Sequence, residues 1–274
     1  MNNTKKGYAL ITGGGAGLGL EIAKLIAAEG YPLILCGRRE EILEKGADVC
    51  RGAGAPEVRT VSCDLSQKDG ISLLHRSVAE LCSQHDRELE MVVNNAGRGL
   101  FGPVEEQESG DLASMLRLNI EALTLLCRLF IPELKQSGSG KILNVGSLAG
   151  GQPMPFFAAY GATKSFVHSF SLALRAELRG SGISVTLLEP GFIRTGFDEA
   201  AGIGSKKYRS FSFRNGMSAE KVAVKGVRAM FRHKAKVMPG IGNKLSAFFG
   251  SLLPETLIAA LMKRSVMGLT GKKD

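Results

Sequence analysis

The sequence predicts an α/β protein built on a doubly wound parallel sheet of about seven strands in a single domain. Two observations carry that prediction. Short Val/Ile/Leu-rich runs alternate with longer segments of helical periodicity along most of the 274 residues. Such runs are apolar at successive positions, as strands buried on both faces are, and strict strand–helix alternation builds a parallel sheet with helices on both sides. The first run also leads at once into a glycine-rich turn, Thr12-Gly13-Gly14-Gly15-Ala16-Gly17-Leu18-Gly19. In such sheets ligands bind beyond the carboxyl ends of the strands, and this turn lies at one of those ends.

Taken in order, Tyr8–Thr12 reads as strand one, and Leu18–Ala28 as the helix that follows the glycines. Pro32–Cys36 is a second strand and Glu40–Arg51 a second helix. Val58–Cys63 is a third strand, followed by a helix over about Gln67–Gln84. Glu90–Asn94 is strand four, and one long helix runs from about Gly110 to Gln136. Lys141–Ser147 is strand five, Phe157–Arg179 a second long helix, and Ile183–Glu189 strand six. A helix near Ser218–His233 leads to a short last strand, Lys236–Met238. Beyond a core of about residues 7–240, residues 241–274 read as a basic extension with two short helices, Asn243–Phe249 and Pro254–Arg264.

Composition narrows the function classes. With 44% hydrophobic and 22% charged residues the chain can bury a full core. No repeat or low-complexity linker divides it, and α/β folds of about 200–250 residues commonly stay undivided. The polar Met1–Lys6 leads straight into a strand, so no secretory signal is expected. No apolar run reaches the ~18 residues of a spanning helix, and a cytoplasmic location is expected. Five scattered cysteines without a CxxC pair, and four histidines without ligand spacing, argue against disulfides and a metal site.

The strand ends carry the chemistry. Glycines after strand one permit a tight turn, a close approach to a pyrophosphate and an anion at the next helix N-terminus. Strand two ends in Leu35-Cys36-Gly37-Arg38-Arg39. An NAD site places an acid there for the ribose 2′-hydroxyl; this chain has Gly37, then Arg38, whose guanidinium suits a 2′-phosphate. NADP(H) is therefore favoured over NAD(H), while Arg39 reads as a solvated helix start. Tyr160 and Lys164 are four apart in a helical pattern and so share a face. A free phenol titrates near 10, and a neighbouring ammonium is expected to lower that. Lys164 can also hold a nicotinamide ribose, and Ser147 stands at the end of strand five. Asp64, taken alone, reads more readily as a helix cap.

Together these marks resemble the classical short-chain dehydrogenase/reductase family, over about residues 7–240. They are the Thr12–Gly19 turn, Asp64, Asn94-Asn95-Ala96-Gly97, Asn119, Ser147, Tyr160-x3-Lys164 and Pro190-Gly191. The resemblance implies a Rossmann-like fold and carbonyl–alcohol oxidoreduction, with Tyr160 as proton donor or acceptor, Ser147 on the substrate oxygen and Asn119 holding a relay water. It assigns cofactor contacts to Thr12, Gly13, Gly15, Gly17, Leu18, Gly19, Arg38, Asp64, Leu65, Asn95, Ala96, Gly97, Tyr160, Lys164, Pro190, Gly191, Ile193 and Thr195. Asp64 would accept from the adenine amino group, and Ile193 and Thr195 would meet the nicotinamide carboxamide. Ala16 departs from the pattern, since many NADP-binding relatives carry a basic residue there. Oligomerisation through the two long helices is implied in the same way. A non-catalytic sensor or scaffold would not need Tyr, Lys, Ser and Asn together; an NAD(H)-dependent alcohol or hydroxysteroid dehydrogenase is the nearer alternative.

The substrate is less determined. Met154, Phe156, Phe157, Phe192, Phe197 and Phe211 are candidate pocket walls fit for a lipophilic carbonyl, with Ala200–Ser205 as a mobile lid; packing of the lid is the plainer reading of the aromatics. The net charge of +9 is uneven. From Lys206 onward 15 Lys/Arg stand against 3 Asp/Glu, a local +12, while residues 1–205 carry −3. Such a surface attracts anions, so acyl-coenzyme A or an acyl carrier protein is a possible partner. For the extension, packing over the site or at a dimer contact is favoured above peripheral membrane contact. Nucleic acid is not expected, since no binding module appears.

Overall fold

A computed structural model describes residues 6–271. The polar stretch Met1–Lys5 and the charged residues Lys272–Asp274 lie outside the described residues.

Seven parallel strands form one sheet in the order β3-β2-β1-β4-β5-β6-β9. They are β1 (Tyr8–Thr12), β2 (Leu33–Gly37), β3 (Val58–Ser62), β4 (Leu89–Asn94), β5 (Lys141–Val145), β6 (Ser184–Leu188) and the short β9 (Lys236–Val237). Interleaved with them are α1 (Gly17–Ala28), α2 (Glu40–Gly52), α3 (Lys68–Gln84), α4 (Ser109–Leu116), α5 (Leu123–Gln136), α6 (Ala158–Glu177) and α9 (Ala219–Phe231). Chain order reverses between β1 and β4, so the crevice beyond Thr12 and Asn94 is the topological switch point.

Both faces of the sheet are covered because its central strands, such as Tyr8–Ile11 and Leu33–Cys36, are apolar at successive positions. Tyr8 and Leu10 face Leu74, Phe130 and Val167 of α3, α5 and α6. Ala9 and Ile11 face the other way, onto Ile22, Ala47 and Val227 of α1, α2 and α9. Each fully buried Leu, Ile or Phe contributes about 1.5–3 kcal/mol. Register is correspondingly firm, with Ile11 opposite Leu35 and Val93, and Asn94 opposite Asn144.

Four regions differ from the sequence reading. The long helix expected over Gly110–Gln136 is α4 and α5 joined by a π-helical turn, Arg117–Ala122. Ser147 lies beyond β5: Gly146 still donates to Leu188 O of β6 (2.8 Å), then Ser147 turns away to start a 3₁₀ turn, Leu148–Gly151. The segment after β6 forms a packed cap. It contains β7 (Ile193–Arg194), α7 (Phe197–Ala200), α8 (Lys206–Asn215) and β8 (Met217–Ser218), with β7 and β8 paired in parallel. Ala201 and Ile203, within the expected lid, are buried. The extension forms α10 (Ile241–Gly250) and α11 (Glu255–Thr270), each longer than its pattern suggested.

Candidate active site

Helix α6 carries Tyr160 and Lys164 on the face turned toward the switch point. Lys164 is buried, and its Nζ donates to Val145 O (2.9 Å) at the end of β5. The same ammonium lies 5.8 Å from the centre of the Tyr160 ring. A Cβ on Gly97 would come within 3.6 Å of it and 3.2 Å of Asn119 Oδ1. Gly97, Asn119, Tyr160 and Lys164 therefore meet in one place. Ser147 joins them: its hydroxyl lies close enough to the Tyr160 phenol to lower it, and accepts from Ala149 N (3.2 Å).

Burial dominates the protonation of this group. It pushes the Tyr160 phenol up to about 12, against a smaller lowering by the Ser147 hydroxyl. It pushes the Lys164 ammonium down to about 8. Against expectation, Lys164 does not lower the phenol here, since its ammonium bonds the Val145 carbonyl. Water removed from a phenolate costs more than an ammonium returns when that ammonium bonds a carbonyl instead of the phenolic oxygen.

The π turn explains Asn119. Its Nδ2 donates to Arg98 O (2.9 Å) and Thr163 Oγ1 (3.0 Å), and its Oδ1 accepts from Arg98 N (3.0 Å). Thr163 Oγ1 in turn donates to Tyr160 O (2.7 Å). Asn119 therefore ties the segment after β4 to the helix turn bearing Tyr160. π turns in helices recur at functional sites because they displace a side chain from the regular path.

The glycine turn has the form of an anion cradle. Helix α1 begins with no acidic residue in its first turn and no side-chain cap on its N-terminal N–H groups. Gly13 has φ 65°, the left-handed region that favours glycine, and a Cβ on Gly19 would meet Gly13 O at 2.2 Å. A Cβ on Gly15 would meet Ile42 O of α2 at 2.9 Å. Leu18 is buried beneath the turn. Thr12 acts as a clamp: its Oγ1 donates to Val93 O (3.2 Å) and accepts from Asn95 N and Ala96 N, both at 3.0 Å. Asn95 Nδ2 donates back to Thr12 O (2.9 Å). Thr12 and Asn95 thus spend these groups on holding β1 against the segment after β4.

The remaining predicted cofactor residues surround this cradle. Arg38 is exposed, and its guanidinium has no hydrogen bond or ion pair among the described residues. Asp64 Oδ1 accepts from Ser66 N (2.9 Å) and Ser66 Oγ (2.8 Å), the local cap that its position allowed. Burial raises the Asp64 carboxyl, but those two bonds and the charges of Arg38 and Arg98 bring it below its ordinary value. Leu65 is buried beside it. Pro190 O accepts from Leu148 N (2.8 Å), which joins the loop after β6 to the segment bearing Ser147. Ile193 pairs with Met217, and Thr195 faces the glycine turn, its Cγ2 3.7 Å from where a Gly17 Cβ would stand. A Cβ on Gly191 would strike Asn243 of α10 at 2.6 Å.

These residues fit a nicotinamide dinucleotide. The helix N-terminus is uncapped, the turn admits no Cβ at several positions, and Lys164 makes one hydrogen bond among the described residues while able to donate three.

An aromatic wall closes over Tyr160. Its ring centre lies 5.5 Å from Phe197 and 5.8 Å from Phe157. Phe101, which the sequence reading missed, contacts Phe156, Phe157 and Tyr208 at 5.1–6.1 Å. Phe156 has φ 65°, a left-handed conformation that costs an aromatic residue about 1 kcal/mol or more. Phe192 and Phe211 stand farther out, edge-on at 6.0 Å, while Met154 packs against the buried cluster. Phe101 follows Gly97-Arg98-Gly99-Leu100 after β4, and its place beyond a strand end was the available signal. His168, one turn beyond Lys164 on α6, also makes a specific contact. Its Nδ1 lies 2.6 Å from buried Glu189 Oε1, whose other oxygen accepts from Lys236 Nζ (2.8 Å).

Comparison with known proteins agrees with this geometry. The family described as short chain dehydrogenase matches residues 7–204. Sulfoacetaldehyde reductase 2 of Chromohalobacter salexigens is 36% identical over 201 residues, covering 70% of this chain and 77% of its own. Among solved structures, a short-chain dehydrogenase from Sphingobium yanoikuyae in complex with NADPH is 28% identical with TM-score 0.77, covering 89% of this chain and 93% of its own. A short chain dehydrogenase/reductase from Burkholderia phymatum in complex with NAD is 25% identical with TM-score 0.79, covering 90% and 93%.

Proposed function

The chain belongs to the short-chain dehydrogenase family, and from that premise we propose that it interconverts a lipophilic carbonyl and its alcohol with NADP(H). Ser147, Tyr160, Lys164 and Asn119 are its reaction group. The observation that carries this reading is the gathering of Tyr160, Asn119 and Ser147 around a buried Lys164, beneath an aromatic wall. A bound nicotinamide supplies or takes up the hydride. Ser147 Oγ hydrogen-bonds the carbonyl oxygen, and Tyr160 Oη delivers the proton to it. Lys164 holds a ribose hydroxyl and compensates negative charge on Tyr160 after proton transfer. Asn119 keeps the Tyr160 turn in register through Thr163 and orders a water on the proton path.

The preference for NADP(H) rests on the free guanidinium of Arg38 and the absence of an acid at Gly37. A charge-assisted pair of this kind contributes about 1.5–3 kcal/mol. A 3-oxoacyl thioester is a second substrate reading, favoured by exposed Lys206, Lys207 and Arg214 on α8 beside the aromatic wall. The test is a panel of lipophilic ketones and 3-oxoacyl thioesters assayed with NADPH and NADH in parallel. Reduction with NADPH is expected to exceed that with NADH, and Arg38→Glu to cut kcat/KM for NADPH by at least about tenfold. Equal use of both cofactors by the two proteins would contradict the preference. A rate independent of salt would remove the thioester reading, because steering by α8 is screened by salt.

A further inference from the structure

We propose that α10 and α11 form a docking surface for an anionic lipid bilayer, so that the enzyme works on the membrane face. Helix α10 has no buried residue, although five of its ten residues are Ile, Leu, Ala or Phe. Ile241, Leu245, Phe248 and Phe249 are 78%, 51%, 59% and 60% exposed. Their spacing of four, three and one places them on one helix face. The stripe continues through exposed Leu252 and Leu253 in the connection to exposed Leu257 and Leu261 on α11. Scattered exposed apolar residues need no explanation, but a contiguous set marks an interaction site.

The surface is built to stand outward. Val266 of α11 packs into the cluster of Phe157, Ala201, Ile203 and Tyr208. Ser205 Oγ and Lys207 Nζ donate to Leu269 O (2.7 Å) and Gly268 O (2.8 Å). At the other end Asn243 Nδ2 donates to Pro239 O (2.7 Å) and covers Gly191. Both helices are thus pinned to the catalytic cap by one side and leave the apolar stripe on the other.

Charge decides between a bilayer and a second copy of the chain. Between Lys221 and Lys273 eleven Lys and Arg stand against one acid, Glu255. Lys244 borders the stripe on α10, and Arg264 lies on the face of Leu257 and Leu261, one turn beyond; both are exposed. A two-fold contact on this stripe would set these cations against their own copies, with Glu255 the single carboxylate of this segment to meet them. Anionic headgroups supply the missing charge, and an apolar face with cationic borders lies in the interface plane without spanning it. No helix among the described residues is long and apolar enough to cross a membrane.

The experiment is co-sedimentation of the full chain with vesicles of phosphatidylcholine mixed with phosphatidylglycerol, and with vesicles of phosphatidylcholine alone. The wild type is expected to sediment with the mixed vesicles and far less with phosphatidylcholine. The F248S/F249S double variant, altered only at exposed rings, is expected to lose at least about tenfold in partitioning while keeping reductase activity on a water-soluble ketone. K244E and R264E are each expected to lose about fivefold on mixed vesicles. No sedimentation of the wild type overturns the proposal. So does a double variant that partitions like the wild type, or a wild-type dimer that the double variant abolishes in the absence of vesicle binding.

Discussion

Lys164 shows how a single residue pays in stability for function. Its ammonium is buried with one hydrogen bond among the described residues, and burial lowers it from 10.5 to about 8. Below pH 8 both folded and unfolded chains carry that proton, and the folded state bears the desolvation cost. Between about 8 and 10.5 the unfolded chain binds more protons, so this group's contribution makes stability rise with pH. Lys164→Met removes the charge. The shift corresponds to about 3 kcal/mol, less about 1 kcal/mol for the Val145 carbonyl left without its donor. The variant is therefore expected to be more stable than the wild type by about 2 kcal/mol at pH 7, with the difference shrinking toward pH 10, and to lose activity. Urea unfolding at the two pH values checks this; a variant less stable at pH 7 would contradict it. The same loss of the ammonium predicts that kcat/KM for NADPH, which reports the free enzyme, falls as pH rises through about 8.

At the scale of elements, the β–α core was legible because each strand states its own burial: runs such as Leu33–Cys36 are apolar at every position. The π turn was not legible, because the helical pattern runs through Arg117–Ala122 almost unbroken and only the bonds of Asn119 to Arg98 and Thr163 disclose it. Asn119→Ala is expected to destabilise the protein by about 1–3 kcal/mol, since it strands the Arg98 N–H and C=O. An unchanged urea midpoint would show that the turn does not depend on this side chain. Phe101 and Tyr208 escaped the sequence reading for a related reason. They belong to segments over a hundred residues apart, and only the fold brings them to 5.6 Å. The pattern of α10 gave its apolar face but could not say that nothing among the described residues covers it.

Across the whole molecule, the reversal of strand order between β1 and β4 gathers the informative positions. The glycine turn, the segment after β4, Ser147 and the loop after β6 all lie beyond the carboxyl ends of neighbouring strands. The charge is divided as well, with the acidic excess in the sheet-bearing part and the basic excess over the cap and extension. Under the proposed function, the group on which the reaction turns is the Tyr160 hydroxyl. The most direct measurement is the single-turnover rate of carbonyl reduction by Tyr160→Phe with saturating NADPH, set beside NADPH binding to the same protein. Loss of general-acid catalysis predicts a rate lower by about 10²–10⁴ with cofactor affinity within about threefold of the wild type. An undiminished rate would contradict Tyr160 as the proton donor.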